Sequence, residues 1–273
     1  MPKININGNN IYYKVKGNPE SENTVIFLNG IMASVSSWFY QTTEFEKLGF
    51  KILLHDFKGQ MMSDKPKGPY ALAQHSRDAI ELMEKLKIKK AHLVGTSYGG
   101  EVAMRMAIDY PEWVESISVI NSASELDETL TLFVRGWKEA AKRKNGEKLF
   151  WTMVPTLYHN NYIVSNRKAL KNKATAMSRV SDEFLEGQLN LYEAFERDVD
   201  ITAELNKIKC PALVICGEDD ILKPRKFSKK IAEQIPNSEY VVIPDSGHVT
   251  ILEKPNVINS LTIGFIMKNN YSS

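Results

Sequence analysis

The sequence predicts an α/β fold: an open, mostly parallel, doubly wound sheet of about eight strands, with a block of helices inserted after the sixth. Three observations predict it. Short apolar runs without polar alternation recur at 24–28, 51–56, 91–94 and 116–120, as suits parallel strands covered on both faces. Stretches of helical spacing separate them, at 38–48, 73–86 and 101–107. The strand pattern then lapses from 123 to 206 in favour of helical spacing, and returns at 212–216 and 240–243.

Residues 3–15 alternate polar and apolar around Asn7-Gly8-Asn9-Asn10, the pattern of an antiparallel hairpin, so the sheet begins with two paired strands. The third strand, 24–28, runs into Asn29-Gly30-Ile31-Met32, and the fourth, 51–56, ends in His55-Asp56. The helix at 73–86 leads to the strand 91–94; the helix after it stops before Pro111, whose missing N–H and ring clash end it. Within the insertion, helical spacing covers 126–142, 147–157, 168–180 and 182–195. A helix at 226–234 separates the last two strands, and one at 256–267 follows them. The expected division is a core domain of residues 1–122 and 207–273, with a helical cap of residues 123–206 inserted in it.

At 273 residues and 43% hydrophobic, the chain can bury one large core. The formal net charge of +2 is near balance. The densest basic run, 85–90, is interrupted by Leu86 and Ile88 and reads as a solvated helix end, so no nucleic-acid partner is expected. Met1-Pro2-Lys3-Ile4-Asn5 has no apolar signal core, and no later apolar run is long enough to span a membrane; a cytoplasmic location without membrane association is the expectation. Cys210 and Cys216 lie in or beside one strand, too far apart on an extended chain to bridge. His55, His75, His92 and His159 lack a companion at metal-ligand spacing, so no metal and no cofactor is expected. The sequence sets no oligomeric state.

The chemistry-bearing stretch is Gly95-Thr96-Ser97-Tyr98-Gly99-Gly100, between a buried strand and a helix. A serine at such a turn projects its hydroxyl above the sheet, and the glycines around it permit close approach of neighbouring elements. The helix beginning there aims its N-terminal dipole and free N–H groups at developing negative charge. Two further loops supply what a serine nucleophile needs. The strand 212–216 runs into Gly217-Glu218-Asp219-Asp220-Ile221-Leu222-Lys223-Pro224, and the strand 240–243 into Pro244-Asp245-Ser246-Gly247-His248. Both loops leave carboxyl ends of strands, where open α/β sheets place their sites. Serine activates only when a histidine takes its proton, and an ionised aspartate fixes the imidazole tautomer and stabilises the imidazolium.

With Asn29-Gly30, Asp56, Gly59, Ser63, the Ser97 turn, Asp220 and Gly247-His248 in this order, nearly the whole chain resembles the α/β-hydrolase-fold superfamily. The group includes carboxylesterases, enol-lactonases, carbon–carbon bond hydrolases of ring-cleavage products and cofactor-free haloperoxidases. The resemblance implies a catalytic set of Ser97, Asp220 and His248. Its Gly-x-x-Asp-x-x-x-Pro pattern, matched by Gly217 and Pro224, selects Asp220 over Asp219. It also implies an oxyanion hole from the backbone N–H groups of Ile31 and Tyr98. Two departures stand out. Asn29-Gly30 replaces a frequent His-Gly, which bears on substrate orientation more than on activity. In Asp56-Phe57-Lys58-Gly59-Gln60-Met61-Met62-Ser63, Lys58 and Met61 stand where relatives commonly have Arg and Gly; this loop reads as structural.

The implied function is a serine hydrolase that cleaves a small carboxylic ester, lactone or thioester through an acyl-enzyme. Ser97 in place of aspartate excludes the haloalkane-dehalogenase and epoxide-hydrolase chemistries. The alternatives are carbon–carbon bond hydrolysis, for which Arg135 and Arg179 would be the basic groups, a haloperoxidase or perhydrolase, and a hydrolase-fold ligand sensor. Phe133, Trp137, Trp151 and Tyr158 are candidate substrate-binding residues, and aromatic residues at helical spacing read equally as packing within the cap.

Overall fold

The computed structural model describes residues 2–270. Eight strands make one sheet: β1 (Lys3–Ile6), β2 (Asn9–Gly17), β3 (Thr24–Leu28), β4 (Lys51–His55), β5 (Ala91–Thr96), β6 (Val114–Ile120), β7 (Ala212–Gly217) and β8 (Ser238–Ile243). Their spatial order is β1-β2-β4-β3-β5-β6-β7-β8. β2 pairs antiparallel with β1 and β4, and every later pairing is parallel. Strands β3, β5 and β7 are buried along their whole length, as their unbroken apolar character requires.

Helices cover both faces. α1 (Phe39–Lys47), α2 (Leu72–Lys85) and α3 (Tyr98–Asp109) make the three connections from β3 through β6. Alternate residues of β3 feed two separate cores, Ile26 and Leu28 on one face and Val25 and Phe27 on the other. On the second face, the Phe27 ring packs 4.9 Å from Trp38 and 5.3 Å from Phe45 of α1.

Between β6 and β7 lie five helices: α4 (Glu128–Lys142), α5 (Gly146–Leu157), α6 (Asn160–Ser165), α7 (Arg167–Met177) and α8 (Asp182–Asp198). Their starts are fixed locally: Asp127, Asn145 and Ser181 accept from the backbone N–H groups of Leu130, Lys148 and Phe184, satisfying donors that a helix start leaves free. α6 was not expected from periodicity; it is too short to show one, and His159 caps it through its side chain. α9 (Arg225–Gln234), the short α10 (Thr250–Glu253) and α11 (Pro255–Asn270) complete the fold. No helix among the described residues is long and apolar enough to cross a membrane.

Because β5, β6, β7 and β8 all run parallel, the loops after β5, β7 and β8 leave the same sheet edge. Ser97, Asp220 and His248 stand on those loops.

Candidate active site

Ser97 has φ 52° and ψ −122°, a conformation that L-residues seldom adopt without a structural demand. The surrounding glycines show the demand. A Cβ at Gly95 would lie 2.2 Å from the Gly99 carbonyl oxygen, and one at Gly99 would lie 2.0 Å from the Leu28 carbonyl oxygen. The strained turn therefore nests between β3 and β5, with the Ser97 hydroxyl above the sheet. Beneath it, His75 Nδ1 lies 2.8 Å from Tyr98 Oη. Burial pushes the Tyr98 phenol well above its ordinary pKa and His75 well below, so both are neutral braces for the start of α3.

His248 Nε2 is 3.0 Å from Ser97 Oγ, and its Nδ1 is 2.7 Å from Asp220 Oδ2. The carboxylate of Asp220 accepts from the N–H groups of Leu222 (3.0 Å) and Lys223 (2.9 Å) and from Asn121 Nδ2 (2.8 Å). Asp219 points elsewhere: it is half exposed and lies 3.5 Å from His159 Nε2. A carboxylate so tethered orients an imidazole, and that imidazole stands within reach of the serine proton.

These groups open into an apolar cavity lined by Ile31, Met32, Leu130, Val134, Met153 and Phe195, among others. Ile31 and Tyr98 line it too. Neither backbone N–H is taken by a turn or a side-chain acceptor among the described residues, whereas the next one, that of Met32, donates to Gln188 Oε1 at 2.9 Å.

Of the four candidate aromatics, Trp137 and Tyr158 line the cavity and Phe133 and Trp151 do not. For Phe133, Trp137 and Trp151 the reason is helical phase. Leu130, Val134 and Trp137 form the inward face of α4, and Phe150, Met153 and Leu157 that of α5; Phe133 and Trp151, beside them in sequence, turn about 100° away. Tyr158 lies one residue past α5 in extended conformation, φ −113° and ψ 140°, and reaches the cavity from there. Phe133 packs at the flank of the core. Trp151 is 41% exposed and meets Phe150 edge-on.

Other residues were not singled out by sequence. Asn121, at φ 51°, donates to Asp220 and accepts from Thr250 Oγ1 at 2.6 Å, locking the acid loop to the histidine loop. Lys223 Nζ lies 3.3 Å from Ser97 Oγ and 2.5 Å from Glu101 Oε1. The only sequence signal for this pair is a charged residue inside the otherwise apolar start of α3, since either charge alone reads as surface. Arg135 and Arg179 are exposed and do not line the cavity. Asn29 also stays out of the cavity: its amide donates to the His55 carbonyl (2.9 Å) and Gln60 Oε1 (3.0 Å), and its Oδ1 accepts from Trp38 Nε1 (2.9 Å). It fastens the loop rather than orienting a substrate. The loop that follows β4 is structural as well, with Asp56 Oδ1 accepting from Val35 N–H (2.8 Å) and Gln60 Nε2 donating to the Gly30 carbonyl (2.8 Å).

Comparison with known proteins agrees with this architecture. A protein named for carbamate hydrolysis, RutD of Caulobacter sp., is 26% identical over 268 residues, covering 94% of this chain and 95% of its own. The 3-oxoadipate enol-lactonase 2 of Acinetobacter baylyi is 26% identical over 238 residues, covering 86% of this chain and 85% of its own. Among solved structures, an α/β hydrolase enzyme from a Medee basin deep-sea metagenome library superposes with a TM-score of 0.90 at 28% identity, covering 97% of this chain and 96% of its own. The family model for the α/β hydrolase fold matches residues 23–255, and the chain belongs to that family.

Proposed function

We propose that the protein is a serine hydrolase of a small carboxylic ester, lactone or thioester, working through an acyl-enzyme. The observation that carries this reading is the unbroken contact line from Asp220 through His248 to Ser97 Oγ at the floor of an apolar cavity. His248 Nε2 takes the Ser97 proton as Oγ attacks the carbonyl carbon. The oxyanion of the tetrahedral intermediate is held by the N–H groups of Ile31 and Tyr98, where fixed donors stabilise charge that only the transition state develops. His248 then protonates the leaving group, and a water activated by the same imidazole releases the acid. Helices α4–α8 act as a cap whose apolar face receives the acyl or alcohol part and limits water.

The test is a fluorophosphonate probe with a panel of esters, lactones and thioesters. Labelling at Ser97, lost in Ser97→Ala, together with turnover of at least one class supports the reading; no labelling and no turnover from folded protein would sink it. A second reading, carbon–carbon bond hydrolysis, uses the same residues. It is favoured by a relative of that activity, the 2-hydroxy-6-oxononadienedioate/2-hydroxy-6-oxononatrienedioate hydrolase of Pseudomonas sp., 27% identical over 286 residues. Product analysis on a ring-cleavage substrate distinguishes the two.

A further inference from the structure

The cavity wall carries two ammonium groups, Lys173 and Lys223, and no carboxylate among its lining residues. Lys173 lies toward the insertion, its Nζ 3.3 Å from Tyr158 Oη and 5.8 Å from the centroid of Phe150. Lys223 is deeper. Its side chain is only 4% exposed, its Nζ sits 4.5 Å over the Phe195 ring, and Ser97 Oγ is 3.3 Å away. Its own N–H is bound to Asp220, so the backbone that carries it is fixed by the same carboxylate that holds His248.

Glu101 explains how Lys223 is held. It is fully buried, pairs with Lys223 at 2.5 Å and accepts from the Ala123 N–H at 3.1 Å. It does not line the cavity, so the carboxylate stands behind the ammonium and the ammonium faces the space. A buried ion pair is poor evidence of stabilisation, because two apolar side chains of similar volume commonly serve as well or better. In a cavity otherwise lined mostly by apolar side chains, a placed charge has its largest effect on what binds there.

We infer that the cavity is built for an anionic substrate, one whose carboxylate lies a few bonds from the scissile carbonyl and pairs with Lys223, which Glu101 holds in place. The proposal rests on the hydrolase reading above and adds the substrate class. A carboxylate hydrogen-bonded to Lys223 Nζ would sit within about 6 Å of Ser97 Oγ, which sets the short spacing.

The experiment compares monomethyl succinate with methyl 4-methylpentanoate, which match in shape and differ by a carboxylate in place of an isopropyl group. Wild type should favour the succinate ester in kcat/KM by about tenfold or more. Lys223→Met/Glu101→Gln removes both charges at nearly constant volume and should collapse that ratio, mainly through KM. A wild-type preference for the neutral ester would overturn the proposal. So would equal losses on both esters in the variant, which would mean that Lys223 serves Ser97 and not the substrate. Calorimetry of monomethyl succinate on Ser97→Ala, with and without the two further changes, decides the matter without turnover. Binding that depends on the pair upholds recognition of the carboxylate by Lys223, and failed fluorophosphonate labelling beside it would overturn the hydrolase reading alone. Binding that is absent, or indifferent to the pair, overturns it. Melting curves of each variant confirm that the compared proteins are folded.

Discussion

The floor and the helical wall of the cavity are built by different physics. The floor is loops at strand ends, crossed by directional bonds: Asn121 to Asp220, Thr250 to Asn121, Ser122 Oγ to the Ser97 carbonyl. The wall is helix faces, α4 and α5 presenting Leu130, Val134, Trp137, Phe150 and Met153, held by apolar burial that has no preferred direction. Polar contacts pin the two together at their edges. Gln188 of α8 binds the Gly59 carbonyl and the Met32 N–H, and the Leu157 carbonyl at the end of α5 accepts from the N–H groups of His248 and Val249. Hydrogen bonds fix positions within narrow limits of distance and angle, whereas apolar side chains of similar volume substitute for one another at small cost. A site divided in this way can hold its chemistry constant while its wall changes what it admits.

The strongest way to break this division is at the floor. Ser97→Ala or His248→Ala should each lower kcat by about 10⁶-fold, and the double variant should be little worse, because the two side chains act as one unit. Steady-state kinetics showing additive losses would count against a shared role. Asp220→Asn should cost about 10⁴-fold, while Asp219→Asn, at a half-exposed position facing His159, should stay within about tenfold.

The next effect concerns stability beneath the floor. His55, at the end of β4, is fully buried, both its ring nitrogens lack a partner among the described residues, and desolvation lowers its pKa from 6.5 to about 4. The unfolded chain therefore binds a proton at this residue between pH 6.5 and about 4 where the folded chain does not. Stability is lost as pH falls through that window, by about 2 to 3 kcal/mol at pH 4.5. Denaturant titrations at pH 7 and 4.5 should show that drop shrinking in His55→Leu relative to wild type; an identical drop in both proteins would move the acid sensitivity elsewhere, for instance to buried His75.

The smallest effect sharpens the comparison at the wall. Trp137→Ala and Tyr158→Ala should shift the ranking of ester chain lengths by about tenfold, and Trp151→Ala, at an exposed ring, should leave it unchanged. Fluorophosphonate labelling of Ser97 should persist in all three. An altered profile in Trp151→Ala alone would reverse the assignment of the two faces of α5.

Much of this molecule was legible in its residues because the floor depends on local sequence. Buried parallel strands demand unbroken apolar runs such as Thr24–Leu28, and a strained turn at Ser97 demands the glycines at 95 and 99. Parallel direction then brings the loops bearing Asp220 and His248 to one edge, while the choice between Asp219 and Asp220 came from the resemblance, whose pattern Gly217 and Pro224 match. The wall gave weaker signals. Four aromatics of the insertion stood out as candidates, but helix rotation turned Trp137 inward and Phe133 and Trp151 away, and the extended residue after α5 carried Tyr158 to the cavity. Only the tertiary structure decided that Glu101, from α3, and Lys223, from the acid loop 122 residues later, meet beside Ser97. A buried ion pair is a property of two distant positions at once, and neither position alone differs from a solvated charge until packing removes the water around it.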